Sequence, residues 1–152
     1  MEHRVKKAAS KGCDAVKPDN ISVWNEQDSR FTISKDERIS YNKWVAELVH
    51  ENGMKVGLKA GHWLIKDTSM FYDFVVSVEC LQSDACDAYQ IPFLSEGKPV
   101  FNVEYGKDYG GCDGSNALGI DTTFKVGTAK RTSAPMCSCV DHSRDHNCSL
   151  VT

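Results

Sequence analysis

GCDAVKPDN, Gly12 to Asn20, is the stretch that decides the fold. A short apolar run, Ala15-Val16, gives way at once to a lysine, a proline, an aspartate and an asparagine. In a barrel or open sheet of parallel strands, side chains at the carboxyl end of a strand project into the ligand crevice, and polar residues there usually serve function. If Cys13–Val16 is a strand, Asp19 sits where a catalytic carboxylate would. An aspartate and an asparagine after a proline also start turns by bonding their own backbone. The segment alone therefore leaves turn and site both open.

The neighbouring sequence supplies the alternation that a parallel sheet requires. Upstream, Val5, Ala8 and Ala9 recur at helical spacing within Glu2–Ser10, and Gly12 is placed to stop a helix. Downstream, ISVWNEQDSRFTI, residues 21–33, has no period and reads as a long loop over the carboxyl end of the sheet. Ser34 with Glu37 forms a capping-box pattern, Trp44, Val45, Leu48 and Val49 make one apolar helical face, and Gly53 is a stop signal. Strands are expected at 54–59, 73–80, 98–105 and 120–126, with helical segments at 62–72, at 84–96 around Pro92, and within DYGGCDGSNALG, residues 108–119.

Five strands then alternate with helices, and each ends near a polar residue: Asp19, Lys59, Glu79, Glu104 and Lys125. This order predicts an α/β fold with a parallel sheet under right-handed crossovers, either doubly wound or a barrel. Neither GxGxxG nor GxxxxGK[ST] occurs, so the dinucleotide and P-loop readings lack their fingerprints.

Composition sets outer limits. The 152 residues suit one domain, and 41% hydrophobic with 26% charged residues is ordinary for a globular core. A formal net charge of -3 offers no footprint for nucleic acid or an anionic membrane. Apolar runs such as Phe74-Val75-Val76 fall far short of the roughly 20 residues of a spanning helix. The charged start, MEHRVKKAASKG, lacks the apolar stretch of a secretory leader and by itself implies the cytosol. Seven cysteines, at 13, 80, 86, 112, 137, 139 and 148, imply an oxidising compartment instead. Loss of a leader would reconcile the two, and the odd count leaves one thiol over.

With these elements in place, GCDAVKPDN, YNKWVAELVHENGMKVGLK, YDFVVSVECLQSDAC and GKPVFNVEY together resemble, in order and spacing, the motifs of glycoside hydrolase family 114. The usual forms there are close to GCDGVEPDN, YNRWLA with GLSVGLKN, DFAVNEQC and GKPVFNVEY. The resemblance spans Glu2 to about Lys125. It implies a (β/α)8 barrel, generally secreted, that cleaves alpha-1,4-linked galactosamine polymers within the chain. Five strands against eight imply about the last five β/α units of such a barrel. Residues 1–126 would form this partial domain, and 127–152 a Cys/His-rich tail for which disorder is one reading. Self-association is the expected partner mode if the half barrel folds alone, because an open parallel sheet leaves edges exposed.

Glycoside hydrolysis usually needs two carboxylates. The resemblance gives Asp19 the first role, whereas the glutamate of NEQC falls on Val78, its asparagine on Ser77 and its glutamine on Glu79. Glu104 and Glu79 are the candidates for the second role. A one-residue shift on a strand turns Glu79 to the other face unless a bulge re-aims it. Asn20, Lys59, Tyr105 and Trp24 are expected to contact sugar. Lys17 replaces the glutamate of EPDN, and Ala60 the asparagine of GLKN. Lys17 favours an ionised Asp19, which suits a base or nucleophile, but is unhelpful toward a cationic amino sugar. These departures support an alternative, an inactive truncated relative that binds carbohydrate.

The resemblance further implies a Cys80–Cys86 disulfide. In the tail, Cys137, Cys139, His142, His146 and Cys148 offer four tetrahedral ligands for zinc, but the spacing fits no standard finger. Disulfides to Cys112 or to a missing upstream segment are the preferred reading there. The hydrolysis requires neither metal nor cofactor.

Overall fold

A computed structural model describes residues 1–19, 21, 33–59, 64–105, 111–125 and 136–138. The chain divides into two compact units, Met1–Val75 and Val76–Thr152.

The first unit opens with helix α1, Glu2–Ser10, whose inward residue is Val5. Gly12 follows at φ +75, a left-handed conformation that glycine reaches without a Cβ penalty. Strand β1, Ala15–Val16, pairs in parallel with β2, Lys55–Lys59, in the register Ala15↔Lys55 and Val16↔Val56. Between them runs α2, Lys35–Glu51. The expected capping box is complete: the Ser34 hydroxyl accepts from the Glu37 N–H, and the Ser34 N–H donates to Glu37 Oε2 at 2.8 Å. Val45, Leu48 and Val49 are buried as expected, whereas Trp44 is 40% exposed beside Tyr41. Helix α3, Ile65–Thr68, gives way to a 3-10 turn at Ser69–Phe71, so the helix expected over 62–72 is shorter and tighter. Strand β3, Phe74–Val78, starts in this unit beside β2, where the Asp73 N–H donates to Val56 O.

Two contacts fix this unit. Asp73 Oδ2 accepts from the Val56 N–H at 2.8 Å and meets His50 Nε2 at 2.7 Å, while Oδ1 accepts from Lys55 Nζ at 3.0 Å. Asn42, buried in α2, donates to the Arg38 and Ile21 carbonyls and accepts from the Tyr72 hydroxyl at 2.6 Å. Burial, with Tyr41 nearby, pushes the Tyr72 phenol well above its ordinary range.

In the second unit, β3 is followed by two 3-10 turns, Cys86–Tyr89 and Leu94–Glu96, in place of the helix expected over 84–96. Pro92 lacks an N–H and biases its predecessor away from the α region, and the Cys80–Cys86 disulfide ties the entry. Strand β4, Val100–Tyr105, pairs in parallel with β5, Asp121–Lys125, from Phe101↔Asp121 to Tyr105↔Lys125. Helix α4, Gly111–Leu118, crosses between them. Strand β6, Met136–Ser138, pairs antiparallel with β5. It lies in the tail, where no strand is expected from the sequence. The sheet order follows the chain, β1, β2 and the start of β3 in the first unit, the rest of β3 through β6 in the second. The fold is α/β of the parallel, barrel type, and the described strands account for part of such a barrel.

Two substitutions test these contacts. Gly57→Ala would set a Cβ 2.3 Å from the Phe74 ring, so a loss of about 1–3 kcal/mol is expected in urea unfolding. Partial desolvation raises the Asp73 carboxyl, but the Val56 N–H, His50 and Lys55 outweigh it and hold it at about 2. Because this folded value lies below the unfolded one near about 3.9, the stabilisation is present above that and disappears as pH falls toward 2. Asp73→Ala should cost about 2 kcal/mol at neutral pH, and the gap from wild type should shrink between about pH 4 and 2.

Candidate functional site

In the first unit, the bend after β1 carries Asp19, exposed, and β2 ends in Lys59, whose Nζ lies 3.9 Å from Asp19 Oδ1. The two strands are parallel neighbours, so a carboxylate and an ammonium from their carboxyl ends meet. Lys17 is exposed and Pro18 buried, which anchors the bend and leaves the charges in solvent. Asn42 holds the Ile21 carbonyl two residues beyond Asp19. Sequence reasoning missed this residue; the signal was a polar side chain inside an otherwise amphipathic helix. Asn20, Trp24 and Ala60 lie outside the described residues.

In the second unit, Glu79 directly follows β3 with φ 56, an uncommon conformation for a residue with a Cβ. This left-handed step takes Glu79 out of the strand's alternation, so the one-residue shift from Val78 no longer dictates its face. Glu79 is half-buried, its N–H donates to Val103 O at 2.8 Å, and its carbonyl accepts from the Ser83 N–H and hydroxyl. Cys80 and Cys86 form the disulfide that the resemblance implies, closing a loop directly behind Glu79.

Glu104 differs from its expected place. It has no exposed surface. Oε1 accepts from the Leu81 N–H at 2.8 Å and from Asn102 Nδ2 at 2.8 Å, and Oε2 is buried with no partner among the described residues. Asn102 Nδ2 also reaches Thr122 Oγ1, which accepts from the Ser115 hydroxyl of α4 at 2.6 Å. Val100, Asn102 and Glu104 therefore share the face of β4 that α4 covers, the outer face in a (β/α) barrel. Period-2 alternation puts Phe101, Val103 and Tyr105 on the opposite face, where Phe101 is 40% exposed. Being near a strand end is thus not the same as facing the crevice. Tyr105 ends β4 beside Lys125, whose Nζ lies 5.9 Å from the Tyr105 ring centre.

Cys112 is disulfide-bonded, and Cys13 is a free, exposed thiol, in keeping with the odd count. Of the Cys and His residues in the tail, only Cys137, within β6, is among the described residues.

A parallel sheet under helical crossovers, with charged side chains at carboxyl strand ends, defines an α/β protein of the barrel class. Within that class, the sequence profile of glycoside-hydrolase family GH114 matches residues 1–143, and the chain belongs to that family. The crystal structure of Aspergillus fumigatus Ega3 in complex with galactosamine superposes with a TM-score of 0.73 at 28% identity. The match covers 83% of this chain and 55% of Ega3, so the chain spans about half of that relative's length. No curated protein sequence matches it. The family match continues beyond residue 126, the boundary expected from the loss of periodicity.

The short disulfide loop behind Glu79 yields a prediction. A ring closed by Cys80 and Cys86, six positions apart, restricts few unfolded conformations. The double variant Cys80→Ala, Cys86→Ala should lose about 2 kcal/mol in chemical unfolding.

Proposed function

We propose that the chain acts as a glycoside hydrolase on alpha-1,4-linked galactosamine polymers, with Asp19 as one catalytic carboxylate and Glu79 as the other. The observation that carries this reading is the Asp19–Lys59 pair at the carboxyl ends of β1 and β2. An exposed carboxylate beside an ammonium suits a nucleophile or the base that activates water. Hydrolysis then needs a second carboxylic acid to protonate the leaving oxygen. Glu79 is half-buried after β3, whereas both oxygens of Glu104 are closed off from solvent. Tyr105, Lys59, Asn20 and Trp24 are the proposed sugar contacts. The galactosamine in the Ega3 crystal supports an amino-sugar substrate, and family membership supports an extracellular setting. No helix among the described residues is long and apolar enough to cross a membrane.

Val78 favours a second reading, carbohydrate binding without turnover, because it occupies the aligned position of the family's NEQC glutamate. One series of assays on galactosamine polymer separates the readings. Asp19→Asn should lower kcat about 10²–10⁴-fold with an unchanged melting profile. Turnover that survives this change would remove Asp19 from the chemistry. A wild type that binds but does not cleave, with cleavage gained on Val78→Glu, would favour the binding reading.

The exposed lysine beside Asp19 gives a separate test. Lys17→Glu should lower KM for a deacetylated, cationic polymer, and the gain should fade as salt rises from 0.05 to 0.5 M on the order of a shrinking Debye length.

A further inference from the structure

Three successive backbone amides after β3 have the same creditor strand. The Glu79 N–H donates to Val103 O at 2.8 Å, the Cys80 N–H to Asn102 Oδ1 at 3.4 Å, and the Leu81 N–H to Glu104 Oε1 at 2.8 Å. In a continuing strand, successive N–H groups point to opposite sides, so no single neighbour receives three in a row. The left-handed step at Glu79, φ 56, lies between the first of these amides and the next two, and so breaks the alternation that would send the Cys80 and Leu81 amides to opposite sides. Such a backbone state in a residue with a Cβ costs on the order of 1–3 kcal/mol and persists only where its surroundings fix it.

We infer that Asn102 and Glu104 are positioning residues: with the Val103 carbonyl they clamp the three amides, hold Glu79 in its left-handed conformation, and thereby fix where its carboxylate is presented. Asn102 is tied in turn to Glu104 Oε1 and to Thr122. The side chains holding the clamp are fully buried, so solvent offers the amides little competition. The disulfide fixes Cys80 to Cys86, and inside its loop the Glu79 carbonyl accepts from Ser83 and the Cys80 carbonyl from the Ala85 N–H, so the clamp holds from the amide side the two peptide planes that the turn holds from the carbonyl side. The inference rests on the proposed role of Glu79 only for its catalytic consequence; the clamp itself is a statement about amides.

The test compares Glu104→Ala, Glu104→Gln and wild type in the complete 152-residue chain, with hydrogen exchange at Leu81 and kcat on galactosamine polymer as readouts. A glutamine oxygen can accept both N–H groups that Oε1 receives. Expected results are exchange at Leu81 at least about tenfold faster in Glu104→Ala, near-normal exchange in Glu104→Gln, and a kcat that falls about 10²-fold in the first and recovers in the second. Amides of α4, in the same unit, serve as the control for folding, and if Glu104→Ala fails that control, Asn102→Leu with exchange at Cys80 replaces it. Unchanged exchange in a folded variant overturns the clamp. An inactive Glu104→Gln with normal amide protection also overturns the positioning role, since Glu104 would then be an acid in its own right. Absence of turnover in wild type removes the proposed function, and exchange still decides the clamp.

Discussion

Where a parallel strand stops, the next N–H and C=O groups lose the ladder that satisfied them, and those that stay buried must find partners elsewhere. This constraint shapes the ends of the strands from which the candidate site is built. After β1, the Ile21 carbonyl is taken by Asn42, a side chain from the following helix. After β3, the Cys80 and Leu81 amides are taken by Asn102 and Glu104, side chains from the following strand. An apolar residue at any of these positions would leave a buried polar group unpaired, at about 1–3 kcal/mol each. Asn42, Asn102 and Glu104 are therefore explained by the backbone of the segments that carry Asp19 and Glu79, before any substrate is considered.

The same constraint accounts for what the sequence disclosed and what it hid. Strand identities followed from apolar runs ending in charge, and the α2 start followed from Ser34 and Glu37, because both signals are local. Asp19 and Lys59 come together because β1 and β2 are consecutive parallel neighbours, a consequence of topology alone. Glu104 was harder to read. Its place near a strand end marked it as a crevice residue, but β4 ends at Tyr105, and strand alternation gives the crevice face to Phe101, Val103 and Tyr105. Parity along the strand outweighs nearness to its end. Glu79 shows the converse: parity counted from Val78 stops applying where φ becomes positive, which no residue pattern in DFVVSVEC announces.

The turns at 86–89 and 94–96 stand where a helix is expected for a related reason. DACDAYQIPFLSE carries apolar residues at helical spacing, yet a six-position disulfide and a proline leave no uninterrupted run for an α-helix to propagate. Tyr89, Phe93 and Cys86 still bury their side chains, so the apolar periodicity reported burial correctly and conformation wrongly. Strand β6 had no such signal, since MCS is three residues long and borrows its order from β5.

Electrostatics at the Asp19 bend is where this chain parts from the motif it otherwise follows. A glutamate before Pro-Asp would add negative charge for an amino sugar to find; Lys17 adds positive charge, and Lys59 already stands 3.9 Å from the Asp19 carboxylate. Under the proposed function, a positive side chain at this bend weakens long-range attraction for a cationic polymer. Both lysines are outside the helix-covered core, and Lys17 is exposed, so its charge is set by surface chemistry and not by folding. The charge at this bend can therefore change by one side chain while the strand ends that carry Asp19 and Lys59 stay as they are.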